Sequence, residues 1–597
     1  MKANEEQVFR TPIAQQIWED KYRFKEIDGT PIDTTVQDTW KRVADHLAQA
    51  EPKAKRAYWA KKFYDTLAGF KYIPAGRINA GAGTGRNVTL FNCFVMGTVP
   101  DDLGGIFDML KEAALTMQQG GGIGYDFSTI RPKGADVLGV GADASGPLSF
   151  MDVWDSMCKT IMSAGSRRGA MMATMRCDHP DIEAFIDAKR DASRLRHFNV
   201  SVLVTDEFME AVKNNREFDL VFEGKKYKTV NARNLWDKIM MSTYNYAEPG
   251  VIFIDRINKM NNLNYVEKIS STNPCGEQPL PPYGACLLGS INLVAHMTDD
   301  FQVDEKDLIK TVRVAVRMMD NVVDVSKFPL PAQEREAKAK RRIGLGVTGL
   351  ASMLALIGIE YGSDEAVVMT SRVMKLIAVE AYRMSCELAE EKGSFPLLDV
   401  DAFLATGNMQ NMPQEIRDLV REKGIRNALL TSIAPTGTIS LYAGNVSSGI
   451  EPIFALEYDR KVLEKDGSKR VETVRDYAVT KWKNHKGYNG GPLPDSFVTA
   501  QTMTPTQHVR MQAAAQKWID SSISKTVNVP EDISFEGFKA VYMEAWDLGC
   551  KGCTTYRPNE VTGSVLSVKQ EESVEDEGGA CELRFDDQTG QLIRSCE

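Results

Sequence analysis

Apolar side chains recur at helical spacing through the first part of the chain. From Thr35 to Phe70 this period predicts an N-terminal amphipathic helical region, whose inward positions are Trp40, Val43, Leu47, Tyr58, Phe63 and Leu67. A second helix is predicted from Gly104 to Gln119, ending at three glycines, with Ile106, Phe107, Leu110, Ala114 and Met117 inward. A third begins near Ser145, with Pro147 in its first turn, and buries Phe150, Val153, Trp154, Met157 and Ile161.

Short apolar or β-branched runs alternate with these helices. The strand candidates are Phe198 to Val204, Val251 to Ile254 and Leu429 to Ile433, each followed by polar or turn residues. Strands separated by helices predict an α/β fold.

Composition narrows the class of protein. The chain has 597 residues, of which 43% are hydrophobic and 26% charged, so it is globular and builds a large core. A net charge of -9 argues against broad binding of nucleic acid or anionic membranes. Because the start MKANEEQVFR has no apolar signal core and no run is long enough to span a membrane, we expect a soluble, cytoplasmic enzyme. Its ten cysteines then act as thiols, catalytic groups or ligands rather than as a secreted disulfide framework.

The richest candidate chemistry lies in one loop, Asn273-Pro274-Cys275-Gly276-Glu277. If this segment is extended, alternate side chains share a face, so Asn273, Cys275 and Glu277 point the same way. Pro274 and Gly276 between them are typical of a stiff, closely approached loop that enters a cavity. The alternative is a buried cysteine beside an ordinary turn.

This loop, followed by Cys286-x-Leu288-Gly289-Ser290-Ile291-Asn292-Leu293, closely resembles the active-site loop of ribonucleotide reductases, specifically the adenosylcobalamin-dependent class II enzymes. The resemblance implies that Cys275 carries a thiyl radical and removes the substrate 3′ hydrogen, that Glu277 takes the 3′-hydroxyl proton, and that Asn273 holds the ribose. It also implies a ten-stranded α/β barrel of two antiparallel-packed, five-stranded parallel halves, with the loop as a finger through its centre. The expected activity is that of a ribonucleoside-diphosphate reductase in DNA synthesis, with triphosphates as alternative substrates.

Two further cysteines match the family's reducing pair, Cys93 in Phe91-Asn92-Cys93-Phe94-Val95 and Cys286. Closing a disulfide requires their Cα atoms to lie within about 7 Å. We therefore expect these two residues to be neighbours in space, and Cys93 to protonate the leaving 2′-hydroxyl.

A substrate-binding set follows from the same resemblance. The sequence Thr436-Gly437-Thr438, taken alone, is more often an ordinary turn than a binding site. After the catalytic loop and before Gly449-Ile450-Glu451-Pro452, however, it matches the family's phosphate loop, in which backbone N–H groups cradle an anion. The expected substrate contacts, besides Asn273 and Glu277, are Ala75, Asn92, Cys93, Gly122, Pro435, Thr436, Gly437, Thr438 and Ile439.

Regulation by a deoxynucleotide or ATP effector at a dimer interface is also implied. The effector candidates are Asp101, Arg131, Arg167 and Arg168, the arginines at 167 and 168 lying on a glycine-rich loop that would transmit the effector's identity. Paired arginines on such a loop are otherwise typical of a solvated surface. We expect a homodimer, with a monomer as the alternative.

The radical source separates the classes of this family. Class I subunits receive the radical from a partner protein through two adjacent tyrosines, and the matching stretch here has Tyr556 alone. No glycyl-radical motif of class III is present, so adenosylcobalamin is the expected cofactor, with no metal ion bound directly by the protein. The alternatives are a class I-type subunit that needs a partner and a catalytically inactive nucleotide-binding relative.

The domain division predicted is a helical region at 1–72, the barrel at 73–560 with effector-site helices at about 100–200, and a flexible acidic tail at 561–597. Cys581 and Cys596 on the tail resemble the family's shuttle thiols, which reduce the active-site disulfide and are recharged by thioredoxin or glutaredoxin. The rival interpretations are a zinc site made with Cys550 and Cys553, and plain surface thiols.

Overall fold

The computed structural model describes residues 8–137, 141–161, 170–191, 193–463, 469–558, 581–585 and 592–596. These fall into two compact units, one of residues 1–456 with 474–564 and one of 457–473 with 565–597.

The α-helices of the described residues are numbered α1 to α21 in chain order. They are Pro12–Ile17, Val36–Leu47, Arg56–Leu67, Gly76–Gly81, Leu103–Gln118, Pro147–Thr160, Ile182–Ile186, Asp206–Lys213, Ala232–Tyr246, Ile254–Met260, Glu305–Val325, Pro331–Lys340, Leu350–Leu356, Asp364–Lys392, Val400–Leu404, Gly407–Asn411, Gln414–Lys423, Gly437–Tyr442, Tyr477–Lys483, Pro505–Gln516 and Phe535–Asp547.

The strands are numbered β1 to β21 in the same way. They are Tyr72–Pro74, Cys93–Val95, Gly122–Asp126, Asp136–Val137, Ala142–Asp143, Met171–Arg176, Phe198–Val204, Glu217–Phe222, Lys225–Asn231, Gly250–Phe253, Ser271–Thr272, Pro279–Leu280, Ala285–Cys286, Leu288–Asn292, Gly344–Thr348, Glu457–Leu463, Lys469–Arg475, Thr526–Asn528, Gly552–Tyr556, Cys581–Phe585 and Leu592–Cys596.

The N-terminal helical region is present, as predicted, but as separate helices. Thr35 begins α2 with a capping box, and the chain leaves the helix near Pro52 before α3 begins. Glu51, between them, receives hydrogen bonds of 2.8 and 2.6 Å from the buried Arg317 of α11. This buried ion pair fastens the helical region to the barrel helices.

The barrel's first half is a parallel sheet of β2, β3, β6, β7 and β10. In the second half β14 runs parallel to β15, parallel bridges join Leu345 to Thr431 and Ile433 to Ile523, and the chain after Ile523 enters β18, which is parallel to β19.

Two antiparallel junctions join the halves. β10 pairs with β19, and β2 pairs with β13, which leads directly into β14. Followed through these pairings and through the continuous run from β13 into β14, the strands return to β2, which matches the predicted ten-stranded barrel with two parallel halves packed antiparallel. The strands predicted at 198–204 and near 251–254 are β7 and β10, and the predicted strand at 429–433 supplies the two bridges.

Two sequence predictions about helix faces are wrong. Phe107 on α5 is 48% exposed, and the helix instead buries Ile106, Met109, Ala113, Thr116 and Met117. Tyr58 on α3 is 58% exposed. Each helix packs one narrow stripe against its neighbours, α5 against β3 and α6, and α3 against α2 and α11, so an apolar residue just outside that stripe remains at the surface.

The second unit contains two antiparallel hairpins, β16–β17 and β20–β21. In the latter, Cys581 and Cys596 are Cα register partners. The rest of the flexible acidic tail predicted at 561–597 lies outside the described residues. No helix among those described is both long enough and apolar enough to cross a membrane.

Candidate active site

The loop carrying Cys275 is the tip of a two-stranded hairpin, β11–β12. The tip is a turn, closed by the Gly276 N–H donating to the Asn273 carbonyl at 3.0 Å, with Gly276 at φ +81°. The extended conformation in which all three side chains would share one face is therefore not adopted, whereas the stiff loop expected from Pro274 and Gly276 is present. Since the turn separates the side chains, Cys275 is exposed at the tip while Asn273 and Glu277 are buried at its base.

Side chains from the first half of the barrel hold one side of this finger loop. The Thr174 hydroxyl donates to the Ser270 carbonyl at 3.0 Å, and the Asn199 amide donates to the Pro274 carbonyl at 2.7 Å. Gly124 faces Thr272 so closely that a Cβ there would lie 1.9 Å from its carbonyl oxygen. Glycine is required at this close approach.

The second half of the barrel holds the other side. The Glu277 carbonyl accepts hydrogen bonds from the Ser432 hydroxyl at 2.8 Å and from the Ser522 N–H at 3.0 Å. The loop is thus attached to strands around the whole barrel, which confirms its predicted place as a central finger.

The Glu277 carboxyl is set up as a proton acceptor. Burial raises its pKa to about 7, although hydrogen bonds from Asn273 and the backbone partly oppose the rise. Its Oε2 has no hydrogen-bond partner among the described residues. A carboxyl whose pKa lies near neutral is suited to general-base catalysis.

Asn273 connects the carboxyl to a second thiol. Its Oδ1 accepts from the Gln278 N–H at 3.0 Å, while its Nδ2 lies 3.6 Å from the sulfur of Cys93. Gly122 also adjoins this thiol, since a Cβ at 122 would be 3.4 Å from the Cys93 Sγ and 3.3 Å from Pro274. Cys93 therefore lies beside the finger loop.

Cys93 and Cys286 are register partners in the antiparallel pair β2–β13. Directly opposed residues in such a pair have Cα atoms about 4.5–5.5 Å apart, which is within the range of a disulfide. The prediction that these two residues are neighbours is confirmed.

Several predicted substrate residues surround these groups. Ala75 belongs to an apolar cluster against which Cys93 and Ala434 pack, and the buried Oδ1 of Asn92 has no hydrogen-bond partner among the described residues. The Ala75 N–H is bonded to the Leu288 carbonyl, so this amide does not face a ligand.

In the predicted phosphate loop, Thr436 lies at φ +51° before α18, and its hydroxyl contacts Thr348 and accepts from the Gly449 N–H. The Thr436 hydroxyl is thus used within the protein. The following backbone, Gly437 to Ile439, forms the first turn of α18, whose N–H groups have no acceptor within their own helix.

The predicted effector residues are brought together in part. Arg131 donates to both carboxyl oxygens of Asp101, from its backbone N–H and from Nε, each at 2.9 Å. Asp101 directly precedes the cap of α5. Arg167 and Arg168 lie outside the described residues.

A cavity of about 310 Å³ opens on the Cys275 side of the finger loop. It is lined by Asn199 and Ser201 of β7, Glu248, Cys275, residues 522–526, and Lys551 to Thr554. Lys525 and Lys551 are buried there, and burial lowers the pKa of Lys551 to about 8.

Sequence analysis missed this cavity. Asn199, Lys525 and Lys551 come from segments far apart in sequence, and the local motif Cys550-Lys551-Gly552-Cys553 indicates a thiol pair rather than a cavity wall. Cys550 and Cys553 are both buried, and the described residues hold no group of three or more His, Cys, Asp or Glu able to bind a metal.

Comparison with known proteins agrees with this architecture over most of the chain. Residues 91–556 match the family model described as "Ribonucleotide reductase, barrel domain", and residues 8–87 match "Ribonucleotide reductase, all-alpha domain". The chain is 39% identical over 578 residues to the vitamin B12-dependent ribonucleoside-diphosphate reductase of Mycobacterium tuberculosis (strain CDC 1551 / Oshkosh), covering 93% of this chain and 80% of that protein.

Two further relatives show the range of similarity. The vitamin B12-dependent ribonucleoside-diphosphate reductase of Thermoplasma acidophilum is 37% identical over 94% of this chain and 72% of its own length. The ribonucleoside-diphosphate reductase subunit alpha of Chlamydia muridarum is 29% identical over 90% of this chain and 57% of its own length.

Proposed function

The chain belongs to the ribonucleotide reductase family, and we infer that it is an adenosylcobalamin-dependent enzyme that reduces ribonucleoside diphosphates to 2′-deoxyribonucleotides. The observation that carries this inference is the exposed thiol of Cys275 on a finger loop inside the barrel, above a buried carboxyl and beside two paired cysteines. The relatives with 37 and 39% identity are both named as B12-dependent diphosphate reductases.

Each group has a distinct part in the reaction. Cys275, as a thiyl radical, removes the 3′ hydrogen of the ribose, and Glu277 accepts the 3′-hydroxyl proton. Cys93 protonates the 2′-hydroxyl, which leaves as water, and Cys93 and Cys286 supply two electrons by closing a disulfide. At the end Cys275 returns the hydrogen to C3′ and Glu277 returns the proton to the 3′-oxygen, so one ribonucleotide and one dithiol give one deoxyribonucleotide, one water and one disulfide.

The cavity beside Cys275 fits one part of the cofactor. Its volume of about 310 Å³ suits a nucleoside but is too small for a corrin ring. The lining offers hydroxyls and amides, a polar set suited to the sugar and base of the 5′-deoxyadenosyl group. The ammonium groups of Lys525 and Lys551 are already used within the protein, the first by Glu451 and the second by the carbonyls of Asp520 and Ser521. When bound, adenosylcobalamin supplies the radical by homolysis of its Co–C bond. Asn199, Glu248 and Ser201 would hold the adenosyl end against Cys275.

Binding of substrate and effector is assigned by the same argument. Asn92 and the backbone of residues 435–439 receive the substrate, the first turn of α18 supplying N–H groups for its phosphates. The N–H of Gly122, like that of Ala75, is already bonded within the protein, in this case to the Asn92 carbonyl. Asp101 and Arg131 sit at the start of α5, whose exposed Leu103, Phe107 and Leu115 form an apolar stripe. A homodimer that covers this stripe, with the deoxynucleotide or ATP effector beside it, fits the arrangement.

The tail hairpin presents Cys581 and Cys596 as backbone partners, which supports a shuttle dithiol recharged by thioredoxin or glutaredoxin over two isolated surface thiols. Such an exchange belongs in the reducing cytoplasm.

A direct assay tests the activity. The purified chain is incubated with adenosylcobalamin, dithiothreitol and either CDP or CTP, without any added protein, and deoxynucleotide is measured. Formation of dCDP is expected. Product that appears only when a radical-generating partner protein is added would establish the class I-type alternative. Nucleotide binding without product under both conditions would establish an inactive relative.

A further inference from the structure

Tyr283, three residues before Cys286, has an unfavourable backbone conformation. Its φ is +62°, in a turn closed by the Gly284 N–H donating to the Pro281 carbonyl at 2.9 Å. Residues other than glycine rarely adopt this left-handed conformation, and such strain persists only where side-chain contacts hold it.

The Tyr283 side chain makes two contacts with the segments around Cys93. Its ring lies against Gly97, where an added Cβ would be 2.5 Å from the ring's Cζ and hydroxyl oxygen. Its hydroxyl donates to the Glu112 Oε2 of α5 at 2.9 Å. Burial and this hydrogen bond raise the pKa of Tyr283 to about 12, so the phenol keeps its proton, and this hydrogen bond, well into the alkaline range.

The strand that follows Tyr283, β13, meets β2 through a short ladder. β13 is two residues long and pairs with β2 only through Ala285 with Phe94 and Cys286 with Cys93, next to one hydrogen bond from the Val95 N–H to the Gly284 carbonyl. The following β14 is anchored by its pairs with β1 and β15, so the alignment of Cys286 with Cys93 depends on these two pairs and on the turn before them.

Helix α5 is linked to the thiol pair at two points. Its C-terminal end runs through Gly120 and Gly121 into Gly122, the register partner of Cys93. Midway along the helix, Glu112 binds Tyr283. The same helix carries the exposed stripe of Leu103, Phe107 and Leu115.

We propose that Tyr283 is a positioning residue for the reducing pair, holding the Cys286 strand against Cys93 and tying it, through Glu112, to α5. The inference rests on the proposed function for the role of the two thiols, but its geometry does not depend on turnover. It predicts that the Tyr283–Glu112 hydrogen bond favours closure of the disulfide.

The test is a redox equilibrium of the full-length protein without cofactor or nucleotide. One oxidised glutathione takes two electrons from Cys93 and Cys286, forming their disulfide and two molecules of reduced glutathione. After quenching with an alkylating agent, the modified fraction of each peptide is counted by mass spectrometry. The variants are Y283F, which keeps the ring, E112A, which removes the acceptor, and E112Q, which retains an acceptor. Y227F, at a 38% exposed tyrosine, is the control.

For Y283F and E112A we expect the equilibrium constant of the disulfide to fall about fivefold, the equivalent of one hydrogen bond of about 1 kcal/mol. E112Q and Y227F should remain within twofold of the wild type. If Y283F and E112A, shown to be folded by circular dichroism, keep the wild-type equilibrium or favour the disulfide, Tyr283 does not position the pair. If Y283F and E112A show the expected shift but the wild type reduces no nucleotide, the proposed function is refuted and the role of Tyr283 stands.

Discussion

The side-chain amide of Asn199 donates to the carbonyl of Pro274 at 2.7 Å, which links barrel strand β7 to the residue directly before Cys275. Asn199 also lines the cavity on which Cys275 opens. The position of the thiol therefore depends on a residue that makes no radical chemistry of its own.

Replacing Asn199 should displace the thiol without unfolding the barrel. We expect N199A and N199D to lower kcat about tenfold to a hundredfold, with little change in the KM for the ribonucleotide, because small misplacements of reacting groups are costly. An aspartate at this position cannot donate to the Pro274 carbonyl. The alkylation rate of Cys275 in the cofactor-free protein should change in parallel. N214A, at an exposed asparagine, is the matched control. Equal alkylation rates in N199A and the wild type would contradict the assignment.

The thiol of Cys275 itself should be indispensable. C275S is expected to abolish nucleotide reduction while binding of a deoxynucleotide effector, measured by calorimetry, stays at the wild-type level, because the proposed effector residues Asp101 and Arg131 lie at the start of α5. C158S, at a buried cysteine on α6, provides a control for the loss of a sulfur. Retained turnover in C275S would refute its role as the radical carrier.

The raised pKa of Glu277 predicts that kcat depends on pH. Since the carboxylate form accepts the proton and burial raises the pKa to about 7, kcat should rise with pH through about 7 and then level off. E277Q should lack this rise and retain little activity. A wild-type profile that is flat between pH 6 and 8 would argue against a base with this pKa.

The raised pKa of Glu277 also makes the free energy of unfolding depend on pH. Between the unfolded pKa near 4.5 and about 7, the native state holds a proton that the unfolded state has lost, so stability falls as the pH rises through this window. The cost of ionising the buried group is about 3 kcal/mol above pH 7. Urea unfolding at pH 8.5 should therefore show E277Q to be more stable than the wild type, whereas at pH 4 the two should be similar.

The tail thiols can be tested by changing the reductant. C581S with C596S should lose turnover driven by thioredoxin but keep turnover driven by dithiothreitol, which reaches the active-site disulfide directly. Loss of both activities would point to a structural role, and zinc released from the wild type but not from this variant would favour the rival metal site.

The exposed stripe on α5 should control assembly. L103E with F107E places two charges on it, and sedimentation velocity is expected to show a monomer where the wild type is a dimer. V368E, at another exposed apolar residue, is the control. A wild type that is already monomeric at micromolar concentration would remove the dimer from the proposal.

Local patterns predicted the parts of the fold that depend on neighbouring residues. β7 and β10 were found from their apolar runs, and the boundaries of α5 from its period and the glycines after it. The burial of Phe107 was predicted wrongly, because periodicity cannot say how wide a stripe the barrel covers. A shared face for Asn273, Cys275 and Glu277 depended on an extended segment, and the left-handed φ of Gly276 that makes the segment a turn is not visible in residue types alone.

The site was predictable in its reactive groups but not in their supports. The family resemblance identified five reactive residues, and the structure brings them together. They are Cys93, Asn273, Cys275, Glu277 and Cys286. Asn199 and Tyr283 act through contacts with residues far away in sequence, to Pro274 and Glu112, and no short motif marks such a pair.

The attachment of the finger loop to both halves of the barrel has a consequence for biosynthesis. Ser432 and Ser522, which bind the Glu277 carbonyl, leave the ribosome long after the loop does. During that interval the nascent chain carries Cys275 on a hairpin whose hydrogen bonds to the second half of the barrel have not yet formed. Its sulfur should then be most open to oxidation, so newly made protein depends on a reducing environment before its first catalytic cycle.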